Sequence, residues 1–150
     1  MSTGWDLAIH DRDNKLVLVV EVKSIRDTSS QWAARLRRNI LAHGTFPNAP
    51  YFLLACPDRF YLWKNIGMST EPIEPTHIID AIPVLQPYFE EAGVAIDQVS
   101  GQSFELIVAS WLVDIIHKKT DEIDDKQNWI IETGLYNAVT GGNMEKEVVA

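Results

Sequence analysis

Apolar and polar residues alternate over residues 5–11, give way to the polar stretch 12–15, and then run almost unbroken through LVLVVEV. Alternation marks a strand with one face covered and an unbroken β-branched run marks a strand covered on both, so residues 5–23 predict a β-hairpin. The period then changes. Trp32, Leu36 and Ile40 recur on one side at 100° per residue, Ser29 or Ser30 can cap the start, and Gly44 can end a helix of about three to four turns. Residues 45–50 form a proline-flanked loop. Two further apolar runs on either side of Pro57, Asp58 and Arg59 predict a second hairpin.

Beyond residue 66 the pattern becomes helical. Residues 67–76 are a proline-punctuated connection, followed by predicted helices over 78–92, bent or interrupted near Pro83 and Pro87, over 103–119, and over 124–139 before Gly141 and Gly142. The middle helix is apolar nearly all round (Phe104, Leu106, Ile107, Val108, Trp111, Leu112, Ile115, Ile116) and is expected to be largely buried. The expected fold is mixed α+β: a central mixed sheet from two β-hairpins, flanked by helices, with further C-terminal helices. One domain spanning 1–150 is expected, with an α/β core at 1–66 and a mainly helical part, 67–150, packed on it. The 150 residues, 46% of them hydrophobic, suffice for one such core.

Composition narrows the setting. No apolar run reaches the roughly 18 residues a membrane span needs, and the first residues lack a signal-peptide pattern, so a cytoplasmic protein with no membrane partner is expected. The single cysteine, Cys56, sits among apolar strand neighbours and reads as a buried thiol. Net charge is −8, which argues against a polyanion partner until its distribution is considered. Up to residue 66 there are nine Lys/Arg against six acids; beyond it there are four against fifteen. A basic amino-terminal portion that can meet an anion is joined to a strongly acidic remainder.

The hairpin carries the candidate chemistry. Glu21 and Lys23 share one face of the second strand, whereas Val20 and Val22 point the other way. On the first strand Asp6 shares its face with Ala8 and His10. A two-residue turn at Asp13 and Asn14, or a four-residue turn over 12–15, sets Asp6 opposite Glu21 with Cβ atoms about 5 Å apart. Two carboxylates that close repel unless a cation lies between them. Magnesium, or manganese in its place, takes oxygen ligands, keeps several waters and is held by one or two carboxylates plus substrate phosphate. Asp6, Glu21 and the Val22 carbonyl are therefore the expected metal ligands. Lys23 would neutralise charge developing at phosphorus and orient the attacking water.

An acid on one strand followed by Glu21-Val22-Lys23 on the next resembles the PD-(D/E)XK nuclease superfamily, whose motif is an acid near the start of one strand and then (D/E)-X-K. The resemblance covers residues 4–64. It implies a restriction-endonuclease-like core and magnesium-dependent hydrolysis of DNA phosphodiester bonds, of a restriction or repair type. Asp6 and Glu21 would be ligands and Lys23 the catalytic cation. In the family the helix after the lysine strand often supplies a polar residue, which Gln31 matches here. Gln31, Arg35 and Arg38 form a polar stripe opposite Trp32, Leu36 and Ile40, making Arg26, Arg35 and Arg38 candidate phosphate contacts. Family members usually carry a helix before the first catalytic strand. With Asp6 so near the start, either the C-terminal helices, a second copy or a partner subunit supplies that layer, or the chain is a relative shortened at the N-terminus whose activity is impaired.

Other readings are milder. The same fold can serve as a catalytically impaired module that binds nucleic acid or protein, and the acidic portion suits an inhibitor that mimics DNA. His10 reads as a partly exposed strand residue, and His43, His77 and His117 show no zinc-ligand spacing with Cys56. The five tryptophans are expected mostly in the core. The acids over 121–125 read as a helix start and solvated loop without the glycine a calcium loop needs.

Overall fold

The computed structural model describes residues 6–43, 49–66 and 71–146. Trp5, the Gly44 helix stop, most of the 45–50 loop and the first part of the 67–76 connection lie outside the described residues.

β1 (Leu7–His10) and β2 (Leu16–Val22) form the predicted hairpin. Leu7 pairs with Val20, Ala8 with Val19 and Ile9 with Leu18, the offset the sequence predicts, and Asp6, just before β1, bonds Val20 and Val22 on either side of Glu21. The turn differs from either predicted form. Asp11 N–H donates to the Lys15 carbonyl at 2.8 Å and Asn14 N–H to the Asp11 carbonyl at 2.9 Å, enclosing Arg12, Asp13 and a left-handed Asn14 (φ 62). Asparagine tolerates that conformation better than most residues. This tighter loop pairs His10 with Leu16, one residue out of phase, and a β-bulge next to it restores the offset. Val17 is the extra residue: it and Leu18, though consecutive, both enter the same core cluster.

α1 (Ser30–His43) follows, its first turn held by Ser29, whose Oγ accepts the Trp32 N–H at 3.1 Å. β3 (Tyr51–Ala55) then runs parallel to β2, and β4 (Arg59–Lys64) returns antiparallel as the second predicted hairpin.

The later elements depart from expectation. Residues 77–80 are not helical but form a strand, β5 (His77–Asp80), along β4. Its β-branched pair alternates, with Ile79 packed on the core and Ile78 53% exposed. Pro83 consequently falls in the first turn of α2 (Ile82–Ala92), where a missing N–H breaks no helical bond, and only Pro87 lies inside the helix. α3 (Gly101–His117) is capped by Ser100, whose Oγ accepts the Ser103 N–H at 3.1 Å. Of the apolar residues expected in the core, only Leu106 is exposed, at 56%.

The helix expected over 124–139 is broken into a 3-10 turn (Asp125–Gln127), α4 (Asn128–Glu132) and α5 (Leu135–Val139). Gly134 makes the break at φ 82, and a Cβ there would lie 2.8 Å from the Tyr51 hydroxyl. That close approach accompanies the hydrogen bond from the Tyr51 hydroxyl to the Thr133 carbonyl (2.9 Å). Last comes β6 (Asn143–Lys146), whose polar sequence carries no strand pattern; it pairs with β1 at the sheet edge.

The sheet order is β5-β4-β3-β2-β1-β6, so two of its six strands come from the part expected to be mainly helical. The architecture is mixed α+β, with helices on both faces. On one face Leu7, Ile9, Leu18, Val20, Leu53 and Leu62 meet the apolar residues of α2, α3 and α5. On the other, Val19, Phe52, Leu54, Tyr61 and Trp63 lie under α1. Neighbouring β2 and β3 are covered on both faces, which is why their sequences run apolar without alternation. The C-terminal helices thus cover the face opposite α1. Trp63 and Trp111 are fully buried, and Trp32 and Trp129 pack partly buried on the two clusters. Among the described residues no helix is long and apolar enough to cross a membrane.

Candidate active site

Because side chains alternate along β2, Val20 and Val22 pack on the C-terminal helices while Val19 and Glu21 turn to the α1 side. Leu7 and Ile9 of β1 share the first of these faces, and Asp6 stands just before β1, at the end of β2 that carries Glu21. Glu21 is only 8% exposed. A carboxylate so buried needs a compensating charge, and Lys23 supplies it, with Nζ 3.4 Å from Glu21 Oε1.

Asp6 is fixed by its own strand partner. Its N–H donates to the Val20 carbonyl at 3.0 Å, and its Oδ2 accepts the Val22 N–H at 2.7 Å. The N–H and C=O of a strand residue point the same way in the sheet plane, so the Val22 carbonyl also faces the Asp6 side. Asp6, Glu21, Val22 and Lys23 therefore meet where β2 and β3 end, the edge at which parallel strands commonly bind ligands.

The loop leaving this edge is clamped to the turn between β3 and β4. Lys23 N–H donates to the Ala55 carbonyl at 3.0 Å, and Asp27 N–H, on a residue at φ 58, donates to Asp58 Oδ2 at 3.0 Å. Arg59 Nη1 donates to the Thr28 carbonyl at 3.0 Å, and the Thr28 and Tyr61 hydroxyls share a hydrogen bond of 2.7 Å. From sequence Asp58 and Arg59 read as turn residues alone. The signal available was an acid and a base placed just where a buried strand ends. α1 starts from this loop, and a Cβ on Gly101, the first residue of α3, would lie 4.0 Å from Ser24 Oγ. The start of α3, with its N–H groups and positive dipole end, thus lies beside Ser24, next to Lys23 in the chain.

The remaining predicted residues lie outside this cluster. Gln31, Arg35 and Arg38 share the solvent face of α1, as their spacing predicts, and Arg26 is exposed on the clamped loop. Gln31 Oε1 accepts from Ser30 Oγ at 3.4 Å, and Arg38 Nη2 donates to Asn39 Oδ1 at 3.1 Å. His10 sits at the far end of β1 from Asp6, which removes it from the site. Arg37, not singled out from sequence, is buried at 4% exposure with its guanidinium 5.5 Å from the ring centres of both Phe52 and Trp63. Burial lowers its pKa from the usual arginine value. The Cys56 thiol is fully buried, and that burial pushes its pKa up to about 12, far from nucleophilic use.

The donor set can be tested against a metal. Among the described residues no group of three or more His, Cys, Asp and Glu side chains is placed to hold an ion. Asp6 and Glu21 offer a pair of carboxylates, with the Val22 carbonyl on the same side. Hard oxygen donors in that number fit magnesium or manganese, which complete their shells with water and phosphate, and lack the nitrogen and sulfur donors that zinc favours. No protein-family model, curated protein or solved structure matches the chain.

Proposed function

We propose that the protein is a cytoplasmic, metal-dependent nuclease of the PD-(D/E)XK type, with a restriction-endonuclease-like core, that hydrolyses phosphodiester bonds in DNA. The observation that carries this reading is the β1–β2 register, which brings the Asp6 carboxylate onto the Val22 amide beside Glu21 and its ion-paired Lys23. Magnesium or manganese, when bound there, would supply an acidified water and a Lewis acid for the phosphate. Asp6, Glu21 and the Val22 carbonyl hold that ion. Lys23, the more exposed member of its ion pair (38% against 11%), faces the solvent side and offsets the negative charge that grows on the phosphate oxygens. The start of α3 beside Ser24 favours an anion at the same edge, and Arg26, Arg35 and Arg38 provide outlying phosphate contacts. Gln31 assists by orienting water once its side chain turns from Ser30.

A second reading, a catalytically impaired module that binds nucleic acid or protein, is favoured by one observation. Both carboxylates already have partners within the hairpin, Asp6 the Val22 amide and Glu21 the Lys23 ammonium.

Calorimetric titration with magnesium and manganese, together with cleavage of plasmid and single-stranded DNA, separates the two. The wild type is expected to bind metal and cleave. Glu21→Ala should lose both, and Lys23→Ala should keep metal binding while losing about 100-fold or more in cleavage rate. Absence of metal binding sinks the nuclease reading; DNA binding without cleavage selects the second.

A further inference from the structure

Away from the hairpin, α2 and α3 enclose an open trough of about 480 Å³. Val94, Leu106 and Ile107 give it apolar surface, and Tyr88, Glu91 and Asp114 give it a polar wall. The apolar surface does not stop at the trough. Leu106 and Val113, seven residues apart on α3, are 56% and 37% exposed. Seven residues are two helical turns, so both lie on one side of the helix about 10 Å apart. Exposed large apolar residues are ordinary when scattered, but a pair on one side of a helix, with Leu106 lining an apolar trough, marks a contact surface.

The charge on this surface has one sign. No Lys, Arg or His lines the trough, and its ionisable groups besides Tyr88 are Glu91 and Asp114. Past Asp114 it continues into a second depression where Lys118 and Lys126 appear beside Asp124. The attraction for a cation is therefore confined to the half around Leu106. The sequence beyond residue 66, with fifteen acids against four Lys/Arg, extends the same bias.

We propose that this trough seats one basic amphipathic helix of a partner protein, its apolar side chains on Leu106 and Val113 and its Lys or Arg residues facing Glu91 and Asp114. The spacing of the two anchors matches apolar positions seven apart on a docked helix, and the acidic wall gives the complementary charge. A second copy of this chain offers no such helix from its basic portion. The basic helix α1 turns Trp32, Leu36 and Ile40 into its own core, and its exposed residues, Gln31, Arg35, Arg38, Asn39, Ala42 and His43, include no large apolar side chain. The proposal shares no residue with the hairpin site and stands whether or not the protein is a nuclease.

The test uses the full chain and two labelled helical peptides of about 18 residues, Leu/Lys and Leu/Glu, with the same apolar spacing, read by fluorescence anisotropy. The Leu/Lys peptide is expected to bind with a micromolar Kd and the Leu/Glu peptide not to bind. Leu106→Asp and Glu91→Lys should each weaken the complex about tenfold or more, with unchanged melting curves because both residues are exposed. Equal binding by either variant, binding of the Leu/Glu peptide, or no binding at about 100-fold the expected Kd overturns the proposal. So does a concentration-dependent dimer in sedimentation that Leu106→Asp dissolves, since the occupant is then a second copy.

Discussion

The Asp6 carboxylate does the work of a strand carbonyl for Val22: its Oδ2 accepts the Val22 N–H at 2.7 Å just before β1 begins. The residue thus has a structural task, holding the end of the hairpin, and on the proposed reading a second as metal ligand. Asparagine keeps a carbonyl acceptor and loses the charge, which separates the two tasks. Asp6→Asn is expected to melt within about 0.5 kcal/mol of the wild type, whereas Asp6→Ala should cost about 1–2 kcal/mol by leaving the Val22 amide without this partner. Both should abolish metal-dependent cleavage. Full activity in Asp6→Asn, measured beside urea unfolding, would remove Asp6 from the ligand set.

The hairpin was legible in the sequence because alternation and a β-branched run are local signals, whereas its offset was read from a two- or four-residue turn and is reached instead by three residues and a bulge. The bulge at Val17 was not legible, since a three-residue turn with a bulge and a four-residue turn without one give the same offset. β5 and β6 escaped for another reason. At four residues each they are too short for a period to register, and pairing with β4 and β1 makes them strands. The break at Gly134 depends on Tyr51, far away in the chain, and the Asp58–Asp27 clamp likewise joins distant residues. Contacts of that kind leave no local pattern.

Arg37 is expected to matter for stability rather than for phosphate binding. Its guanidinium lies over Phe52 and Trp63, which face each other across β3 and β4 with ring centres 5.6 Å apart. Arg37→Ala should cost about 2–4 kcal/mol through lost packing and cation–π attraction. Arg37→Lys should cost about half as much, because an ammonium cannot lie flat against two rings. Chemical denaturation measures both. Losses no larger than those of the exposed Arg35→Ala and Arg38→Ala would refute this role.

Alkaline pH should destabilise the protein through groups kept neutral by burial. Burial raises the pKa of Cys56 to about 12 and also raises those of Tyr51 and Tyr88, the last with help from Asp114. Because the folded pKa exceeds the unfolded one, this stability is fully present below the unfolded values, near 9.0 for the thiol. It is lost as pH rises through the folded ones. Cys56→Ala should flatten the decline between pH 9.0 and about 12, leaving the part due to the tyrosines. At neutral pH the native thiol should react with an alkylating reagent about 100-fold or more slowly than the unfolded chain. Rapid labelling of native protein contradicts this.

The bulge gives the two ends of the hairpin unequal slack. Val17 and Leu18 face the same way, so removing Val17 leaves Leu16, Leu18 and Val19 alternating in step and Ile9 still opposite Leu18. Deletion of Val17 should keep Glu21 and Lys23 on their present face and cost about 1–2 kcal/mol, the burial of one valine. Deleting Val19 instead lies on the site side of the bulge, where one residue reverses the parity of everything after it and drives Glu21 and Lys23 into the apolar layer under α3. That variant is expected not to fold, as circular dichroism would show. The turn end can thus change in length without disturbing the site, while the three residues between Leu18 and Val22 admit no change in count.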